Sequence, residues 1–573
     1  MKNNSIFEKS GNSDSAAKKW FVPAISLAIG LFTFVVYLKA ITFGFVDWDD
    51  NDYVLNNPLL SQNGWDFIFA AFTSMHPGNW HPLTNLSYKF DYMIWGLDPM
   101  GYHLTNIALH AIATGLVFWF GYKLLSVVLN KETDRFRLFF AAFVCAMLFG
   151  IHPLHVESVA WVSERKDVLC AVFYVLCLLF YIRYKTGESA SRGGAYAYSL
   201  FFCVLSMMSK PMAVSIPVTL LILDFYPLGR LNSFKNLISE AVNKVPFIML
   251  SLAVSLTTIM AQKSAIAPLE VKPMSVRAAH MFQTYVFYLE KTVFPNVLMP
   301  FYPHSVDISL WSGKTLLAIS FFGFITAIGV MYCKKRPYFL AAWAFYVITL
   351  LPVIGIVQVG GQVAADRYMY LPSLSLFLLV GAALAAFYGY REMRVVKAGA
   401  IAIAAAIVIL LTMKTSSQIN IWRDDYSFWT HELSYVGKGN ADAIVLSRIK
   451  RGYYFFRINR LDEAIIDYNE GIKANPKAWN HYVMRGNAFQ RRNKKGDMEK
   501  AEIDFKTAVL LNDTKDPWAY RCLALLYVIK ELPEKVKYYS TLGDRVQKGE
   551  RLPAAEIEKA AAPLKLQTIG PDK

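Results

Sequence analysis

Apolar segments close to the length of a bilayer crossing dominate the first 415 residues of the chain. A helix needs roughly 20 apolar residues to cross a membrane, and about eleven such segments can be recognised by hydropathy. Only 18% of the residues are charged, whereas soluble domains contain about 25%. We therefore predict an all-α, polytopic membrane bundle with spans near 20–41, 103–129, 138–151, 167–183, 195–209, 211–227, 245–262, 312–333, 338–357, 373–390 and 398–414.

The basic residues predict how the bundle is oriented. The first span begins at Trp20 and lacks a small-residue cleavage site, so we expect it to be retained behind a cytoplasmic tail, residues 1–19. If the spans alternate, the short Lys- and Arg-rich loops share one side, which the positive-inside rule makes the cytoplasm. These loops and anionic headgroups account for the net charge of +16 without a nucleic-acid partner. We expect a multi-pass protein of the inner (plasma) membrane in contact with its lipids.

The loops predicted on the outer side carry most of the polar chemistry. The first, residues 42–102, contains "DWDDNDY", in which Asp49 and Asp50 lie among aromatic residues. Another, 263–311, contains an amphipathic segment at 277–298 that we expect to lie on the outer interface. Ionisable groups near membrane depth are costly and are functional candidates. The further candidates are Tyr53, His81, His103, His152, His155, Glu157, Arg165, Lys166, Lys210, Arg367 and Tyr368.

Several of these residues also have a structural interpretation. A histidine on a span, such as His103, often makes only an interhelical hydrogen bond. Glu157 can pair with Arg165, and Arg367 with the neighbouring Asp366. The histidines of "HPLH" and Glu157 also form a weak metal-like pattern. We expect no required metal, although a divalent ion is a possible cofactor.

After residue 415 the composition becomes charged and helical, and a repeat emerges. Gly486 follows Gly452 by 34 residues, which is the period of tetratricopeptide (TPR) helix pairs. We expect a connector at 416–439, a TPR domain at 440–545 and a loosely ordered tail at 546–573. TPR solenoids present concave binding surfaces, so an acceptor protein or peptide is an expected partner. A purely stabilising domain is the alternative.

Carboxylates and cations at one face of a membrane bundle suit glycosyl transfer from a lipid-linked donor. A carboxylate takes the proton of the acceptor hydroxyl, and cations hold the phosphate as it gains charge. A lipid donor also suits a site outside the cytoplasm, where nucleotides are absent. The expected donor is therefore a lipid-linked sugar whose isoprenoid tail lies between the spans.

Motifs along most of the chain resemble the TMTC family and its bacterial relatives. They are "DWDDNDYV", "HPLTNLSY", "GYHLTNIALH", "HPLHVESVAWVSERKDVL", "SKPMAVSIPVTLLILD" and "ADRYMYLPSL", followed by the TPRs. The resemblance implies a GT-C fold across residues 20–415, and it makes Asp49 or Asp50 the catalytic base. It also implies a polyprenyl-phosphate monosaccharide as the donor and a protein Ser or Thr as the acceptor. The alternatives are transfer to lipid A or a surface glycan, and a non-catalytic TPR scaffold.

Overall fold

The computed structural model describes residues 7–76, 78–128, 135–187, 189–263, 265–266, 272–303, 308–357, 360–390, 393–436, 440–512 and 516–562. Parts of the predicted tails, of the 263–311 loop and of the 416–439 connector lie outside these residues. The chain divides into two compact units, Met1–Asp424 and Asp425–Lys573. Almost all of the regular structure is helical, which confirms the all-α prediction.

Every predicted apolar segment of the first unit falls on a helix. Its α-helices are Phe7–Tyr37, Pro58–Ser61, Gly64–Thr73, Pro82–Trp95, Pro99–Val128, Arg135–Ile151, Val156–Ala160, Arg165–Thr186, Ser189–Ser209, Ile216–Phe225, Phe234–Val242, Val245–Ala261, Met274–Val293, Gly313–Met331, Pro337–Leu350, Ser373–Tyr388 and Arg394–Ile419. The 3₁₀ and π turns are Leu38–Thr42, Asn51–Leu55, Pro153–His155, Val162–Glu164, Pro211–Ser215, Leu351–Val353, Asp366–Met369 and Asn420–Trp422. Two short antiparallel strands are Tyr302–Pro303 and Gln362–Ala364.

By length and composition, 5 of the described helices can cross a membrane, or up to 7 if each of two bent pairs is one span. The chain is therefore a multi-pass membrane protein. The predicted number of spans is larger because several apolar helices, including Pro337–Leu350 and Ser373–Tyr388, are shorter than a full crossing.

Small residues let the first two long helices of the bundle pack closely. A Cβ atom added to Gly30 would lie 2.8 Å from the carbonyl oxygen of Ala111, and one added to Gly115 would lie 2.8 Å from that of Ser26. Close backbone approach at small residues is a common way for membrane helices to associate. This packing positions the end of the first helix, after which the acidic loop begins, the segment that contains Asp49 and Asp50.

An irregular stretch, residues 152–164, joins helix Arg135–Ile151 to helix Arg165–Thr186 and is buried in the first unit. The chain bends by 51° around Pro153, and residues 151–172 are buried almost without interruption. Side chains donate hydrogen bonds to backbone carbonyl groups here. Asn106 Nδ2 donates to Trp161 O at 3.0 Å, and the Tyr88 hydroxyl donates to Val162 O at 2.9 Å. Such backbone persists inside a membrane protein only where protein or water surrounds it.

The amphipathic segment predicted at 277–298 is a helix, Met274–Val293. One face packs against helix Pro337–Leu350, since the Tyr285 hydroxyl donates to Val347 O at 3.0 Å. The Tyr288 hydroxyl donates to Ala365 O at 2.8 Å, next to the Asp366–Met369 turn. The position of this helix on the outer interface stays a prediction.

The second unit consists of helix pairs with equivalent contacts. Its helices are Asp425–Tyr435, Ala441–Arg457, Leu461–Ala474, Trp479–Arg492, Asp497–Leu511, Trp518–Ile529, Pro533–Gln547 and Ala554–Ala561. Arg451 makes a two-point ion pair with Asp467, at 2.7 Å for both bonds. Arg485 makes the same pair with Asp504, at 2.9 and 2.7 Å. Each bridge joins the two helices of one pair.

The predicted loose tail at 546–573 is wrong in part. Residues Ala554–Ala561 form a helix whose last two alanines are fully buried. The Tyr539 hydroxyl donates to Ala560 O at 2.6 Å. The alanines supply a small apolar face that packs on the preceding helices, which composition alone did not indicate.

Gly486→Val is expected to destabilise the second unit locally by about 1–3 kcal/mol through overpacking. A Cβ atom at this position would lie 2.5 Å from the Phe505 ring. Hydrogen–deuterium exchange on the full-length protein should therefore become faster across residues 479–511. Gly543→Ala is the matched control, because its added Cβ would lie at an ordinary 3.5 Å from the nearest atom. Equal exchange in the two variants would contradict the close packing at Gly486.

Candidate active site

The two central aspartates of the acidic loop have different environments. Asp50 is buried, and its carboxylate accepts hydrogen bonds from Val46 N and Ser163 N, both at 2.9 Å. The Ser163 hydroxyl donates to the same carboxylate. Burial raises the pKa of Asp50 to about 7, and the Ser163 and Val46 donors act against that rise. Asp50 therefore anchors the loop to the irregular stretch.

Asp49 instead is partly exposed and lies within electrostatic range of positive charges. Among the described residues, no hydrogen-bond donor reaches it. Burial raises the pKa of Asp49, whereas the charges of Lys166 and Arg367 lower it. Asp49 thus has the accessibility that a proton acceptor requires, and Asp50 does not.

Glu164 lies at the centre of the charges that Asp49 faces. Its Oε1 lies 3.0 Å from Lys166 Nζ and 3.3 Å from Arg367 Nε. Its Oε2 lies 3.4 Å from Lys210 Nζ. Glu164 is not among the residues predicted from the sequence, although it directly precedes two that are, Arg165 and Lys166. This carboxylate holds three cations from three different segments together.

Two outer carboxylates complete the cluster. Glu157 pairs with the Arg367 guanidinium and also accepts from Arg367 N at 2.8 Å. Asp167 lies 2.5 Å from Lys210 Nζ and accepts from the Ser158 hydroxyl at 3.0 Å. We refer to Glu157, Glu164, Lys166, Asp167, Lys210 and Arg367 as the charge cluster. All six side chains are at least nine-tenths buried.

Aromatic rings lie beside two cations of the charge cluster, Lys166 and Arg367. Lys166 Nζ lies 4.6 Å from the centre of the Tyr53 ring, and the Arg367 guanidinium lies 5.1 Å from that of Tyr368. Arg367 also lies 5.5 Å from the centre of Trp161. Rings at these distances attract cations electrostatically. Tyr53 and Tyr368, both candidates from the sequence, therefore lie at the charge cluster. Trp161, which was not a candidate, lies there as well.

Arg165 lies away from this cluster. It is fully buried and pairs with Asp91 at 2.7 Å. Its other donors reach Asn106 and the carbonyl oxygen of Tyr102, the latter at 2.8 Å. The predicted Glu157–Arg165 pair is wrong, because the Arg165 guanidinium binds Asp91 and Asn106, whereas Glu157 binds Arg367.

The alternative pair Arg367–Asp366 is also not the arrangement observed. Arg367 binds Glu157 and Glu164, whereas Asp366 accepts from the Tyr302 hydroxyl at 2.8 Å. The Arg367 guanidinium thus joins the 362–369 segment to the irregular stretch and does not pair with its neighbour in sequence, Asp366.

Three of the predicted histidines make contacts within the bundle. His103 Nε2 lies 3.3 Å from Gly44 O, and His152 Nε2 lies 3.0 Å from Thr292 O. His155 bonds Phe149 O at 2.7 Å and the Ser373 hydroxyl at 2.9 Å. These contacts tie helices to loops, so the structure assigns the three side chains to packing. In the described part of the chain, no three His, Cys, Asp or Glu side chains are grouped as metal ligands.

His81 is a predicted histidine that lies within electrostatic range of the charge cluster. It directly precedes helix Pro82–Trp95 and is buried. Burial lowers its pKa well below the usual value, and the nearby positive charges of Lys166 and Lys210 lower it further. His81 is therefore a neutral imidazole at pH 7 and does not add to the positive charge.

A partly exposed carboxylate thus lies near three clustered cations in a helical membrane bundle, and cations grouped in this way suit the binding of an anionic group. Curated relatives of the chain are TMTC protein O-mannosyl-transferases, which confirms the family resemblance. TMTC2 of Mus musculus is 30% identical over 243 residues, 41% of this chain and 27% of the relative. Human TMTC3 is 23% identical over 465 residues, 73% of this chain and 48% of the relative.

The similarity covers only part of these relatives. F38B6.6 of Caenorhabditis elegans, also a protein O-mannosyl-transferase, is 24% identical over 72% of this chain and 57% of its own length. The matched part of the chain thus spans between 27% and 57% of the length of these curated relatives. No family model matches the chain. A solved structure, ArnT from Cupriavidus metallidurans bound to undecaprenyl phosphate, aligns over 91% of this chain and 89% of its own, with 13% identity and a TM-score of 0.34.

Proposed function

We propose that the chain is a GT-C-type membrane glycosyltransferase. It transfers a sugar from a polyprenyl phosphate to a Ser or Thr hydroxyl of an extracytoplasmic protein. The observation that carries the proposal is the charge cluster itself, in which Glu164 groups Lys166, Lys210 and Arg367, with the partly exposed Asp49 within electrostatic range of Lys166 and Arg367. Similarity to the TMTC protein O-mannosyl-transferases supports both the reaction and the acceptor class.

Asp49 acts as the general base. As the acceptor oxygen bonds to the anomeric carbon, its proton passes to the Asp49 carboxylate. The bond between that carbon and the phosphate oxygen breaks, and its electron pair leaves with the polyprenyl phosphate. A partly desolvated carboxylate with a raised pKa is a better proton acceptor than one in water.

The cations of the charge cluster bind the phosphate. A lysine ammonium has three donors and an arginine guanidinium has five. The ion pairs described for Lys166, Lys210 and Arg367 leave further donors on each of them. Because the leaving phosphate gains negative charge in the transition state, these donors stabilise it more strongly there than in the ground state.

The second unit positions the acceptor. Two of its helix pairs have the glycine spacing and the Arg–Asp bridges of a repeat, and we assign them as TPRs. In this proposal the site and the TPRs are on the periplasmic side of the inner membrane, opposite the basic loops.

The proposal is tested by the masses of extracytoplasmic proteins. Cells that lack the protein are complemented with wild type or with Asp49→Asn, and the intact masses of their secreted and surface proteins are compared. A sugar increment on specific proteins is expected with wild type and not with Asp49→Asn. Membrane insertion of both forms is checked by quantifying the full-length chain in purified membranes.

Two other outcomes would contradict the proposal in distinct ways. If the increment appears on a membrane lipid or surface glycan instead, the acceptor assignment is wrong and the transferase assignment stands. If Asp49→Asn complements fully while a variant with disrupted TPR packing does not, the chain is a scaffold.

A further inference from the structure

One face of helix Pro82–Trp95 lies against two of the segments that carry the charge cluster. The Thr84 hydroxyl donates to Ser209 O at 3.0 Å, directly before Lys210. The Tyr88 hydroxyl donates to Val162 O at 2.9 Å, two residues before Glu164. His81 and Asn85 are one helical turn apart on this face, since Asn85 N donates to His81 O at 3.0 Å.

Both of these side chains are buried with polar atoms that lack a partner. Asn85 is 1% exposed and His81 is 4% exposed. Within the described residues, neither Nδ2 nor Oδ1 of Asn85 has a hydrogen-bond partner, and the same is true of His81 Nδ1. Proteins rarely leave buried polar groups unsatisfied, because each costs free energy of folding. Three such atoms on one helix face beside the cations therefore indicate a place where a ligand binds.

The chemistry of the pair identifies the ligand. The Asn85 amide is both a donor and an acceptor, and a neutral His81 adds no charge. An anionic phosphate accepts hydrogen bonds but cannot donate them to the Asn85 oxygen. A sugar hydroxyl does both. We propose that His81 and Asn85 form a subsite that binds hydroxyl groups of the donor sugar.

This subsite rests on the proposed glycosyl transfer and assigns its sugar-recognition residues. In a polyprenyl-phosphate donor the sugar is bonded directly to the phosphate. A phosphate held by Lys166 and Lys210 therefore brings its sugar ring beside this helix face. The Asn85 amide and the His81 imidazole then contribute to selecting the sugar, whereas the cations bind every polyprenyl phosphate alike.

The test compares two lipids on the full-length protein in nanodiscs. The probes are undecaprenyl phosphate and undecaprenyl-phosphate mannose. Asn85→Leu and His81→Phe are each expected to weaken binding of the mannosylated lipid about tenfold, with little change for the bare phosphate lipid. Met93→Ala is the matched control, because Met93 is on the same helix but 74% exposed, and it is expected to bind both lipids as wild type does.

A stability measurement separates the subsite from a packing role. Asn85→Leu removes two unsatisfied buried atoms, so the lipid-free protein should keep or raise its Tm. A structural asparagine would lower the Tm on the same change. His81→Asn, which retains a hydrogen-bonding group near the Nδ1 position, should recover part of the binding that His81→Phe loses.

The remaining outcomes overturn the subsite in recognisable ways. If both lipids are weakened equally by Asn85→Leu, the pair binds phosphate. If neither lipid is affected and only the KM for an acceptor peptide rises, the pair binds the acceptor hydroxyl. Wild type that binds neither lipid and transfers no sugar would contradict the proposed function itself, and the subsite with it.

Discussion

Asp49→Asn is expected to reduce sugar transfer about a thousandfold, within the range that general-base catalysis contributes, while the fold is retained. Asparagine has nearly the same shape as aspartate but cannot take the acceptor proton. Among the described residues no donor binds the Asp49 carboxylate, so its replacement breaks no hydrogen bond. Release of undecaprenyl phosphate from a glycosylated donor, measured with purified full-length protein, gives the rate. Thermal unfolding of the same samples gives the stability.

Asp50→Asn is the matched comparison for this experiment. The Asp50 carboxylate accepts from Val46 N at one oxygen and from Ser163 at the other. An amide NH₂ in its place would face one of these donors and leave it unsatisfied, at a cost of about 1–3 kcal/mol. We therefore expect a lower Tm with part of the activity retained. The opposite pattern, a stable inactive Asp50→Asn and an active Asp49→Asn, would move the base to Asp50.

The helical architecture was predictable because it depends on local patterns. Apolar runs, short basic loops and a 34-residue glycine spacing each report on nearby residues, and the corresponding segments are helices. The aspartate pair was also located by sequence, but the roles within it were not. Asp50 is buried because it binds Ser163, which is more than a hundred residues away in the chain, whereas Asp49 stays partly exposed.

The charge cluster shows why the remainder of the site was harder to predict. "SERKD" contains Glu164, Arg165 and Lys166 in succession, and sequence alone gave both cations the same role. The chain passes from a 3₁₀ turn into helix Arg165–Thr186 at this point, so consecutive side chains point in different directions. Arg165 is directed to Asp91, and Lys166 is directed to Glu164. The charge pattern in the sequence located this segment, but only the backbone geometry shows that Arg165 and Lys166 have different partners.

Glu164→Gln is expected to destabilise the first unit by about 3–5 kcal/mol and to abolish transfer. Removal of one partner from a buried ion pair leaves the other charge uncompensated in a medium of low polarity. Here the loss affects Lys166, Lys210 and Arg367 together, because all three contact Glu164. The expected signs are a reduced yield of folded protein after detergent extraction and a lower Tm.

A second substitution tests whether charge is the cause. Among the described residues, Glu164 is the ion-pair partner of Lys166, so Glu164→Gln with Lys166→Met removes a matched pair of charges. The double variant should regain about 1–3 kcal/mol relative to Glu164→Gln, as expected for coupled neighbours. Transfer should stay abolished, since a phosphate-binding cation is missing. If the double variant is no more stable than Glu164→Gln, Glu164 acts through packing and does not neutralise the cations.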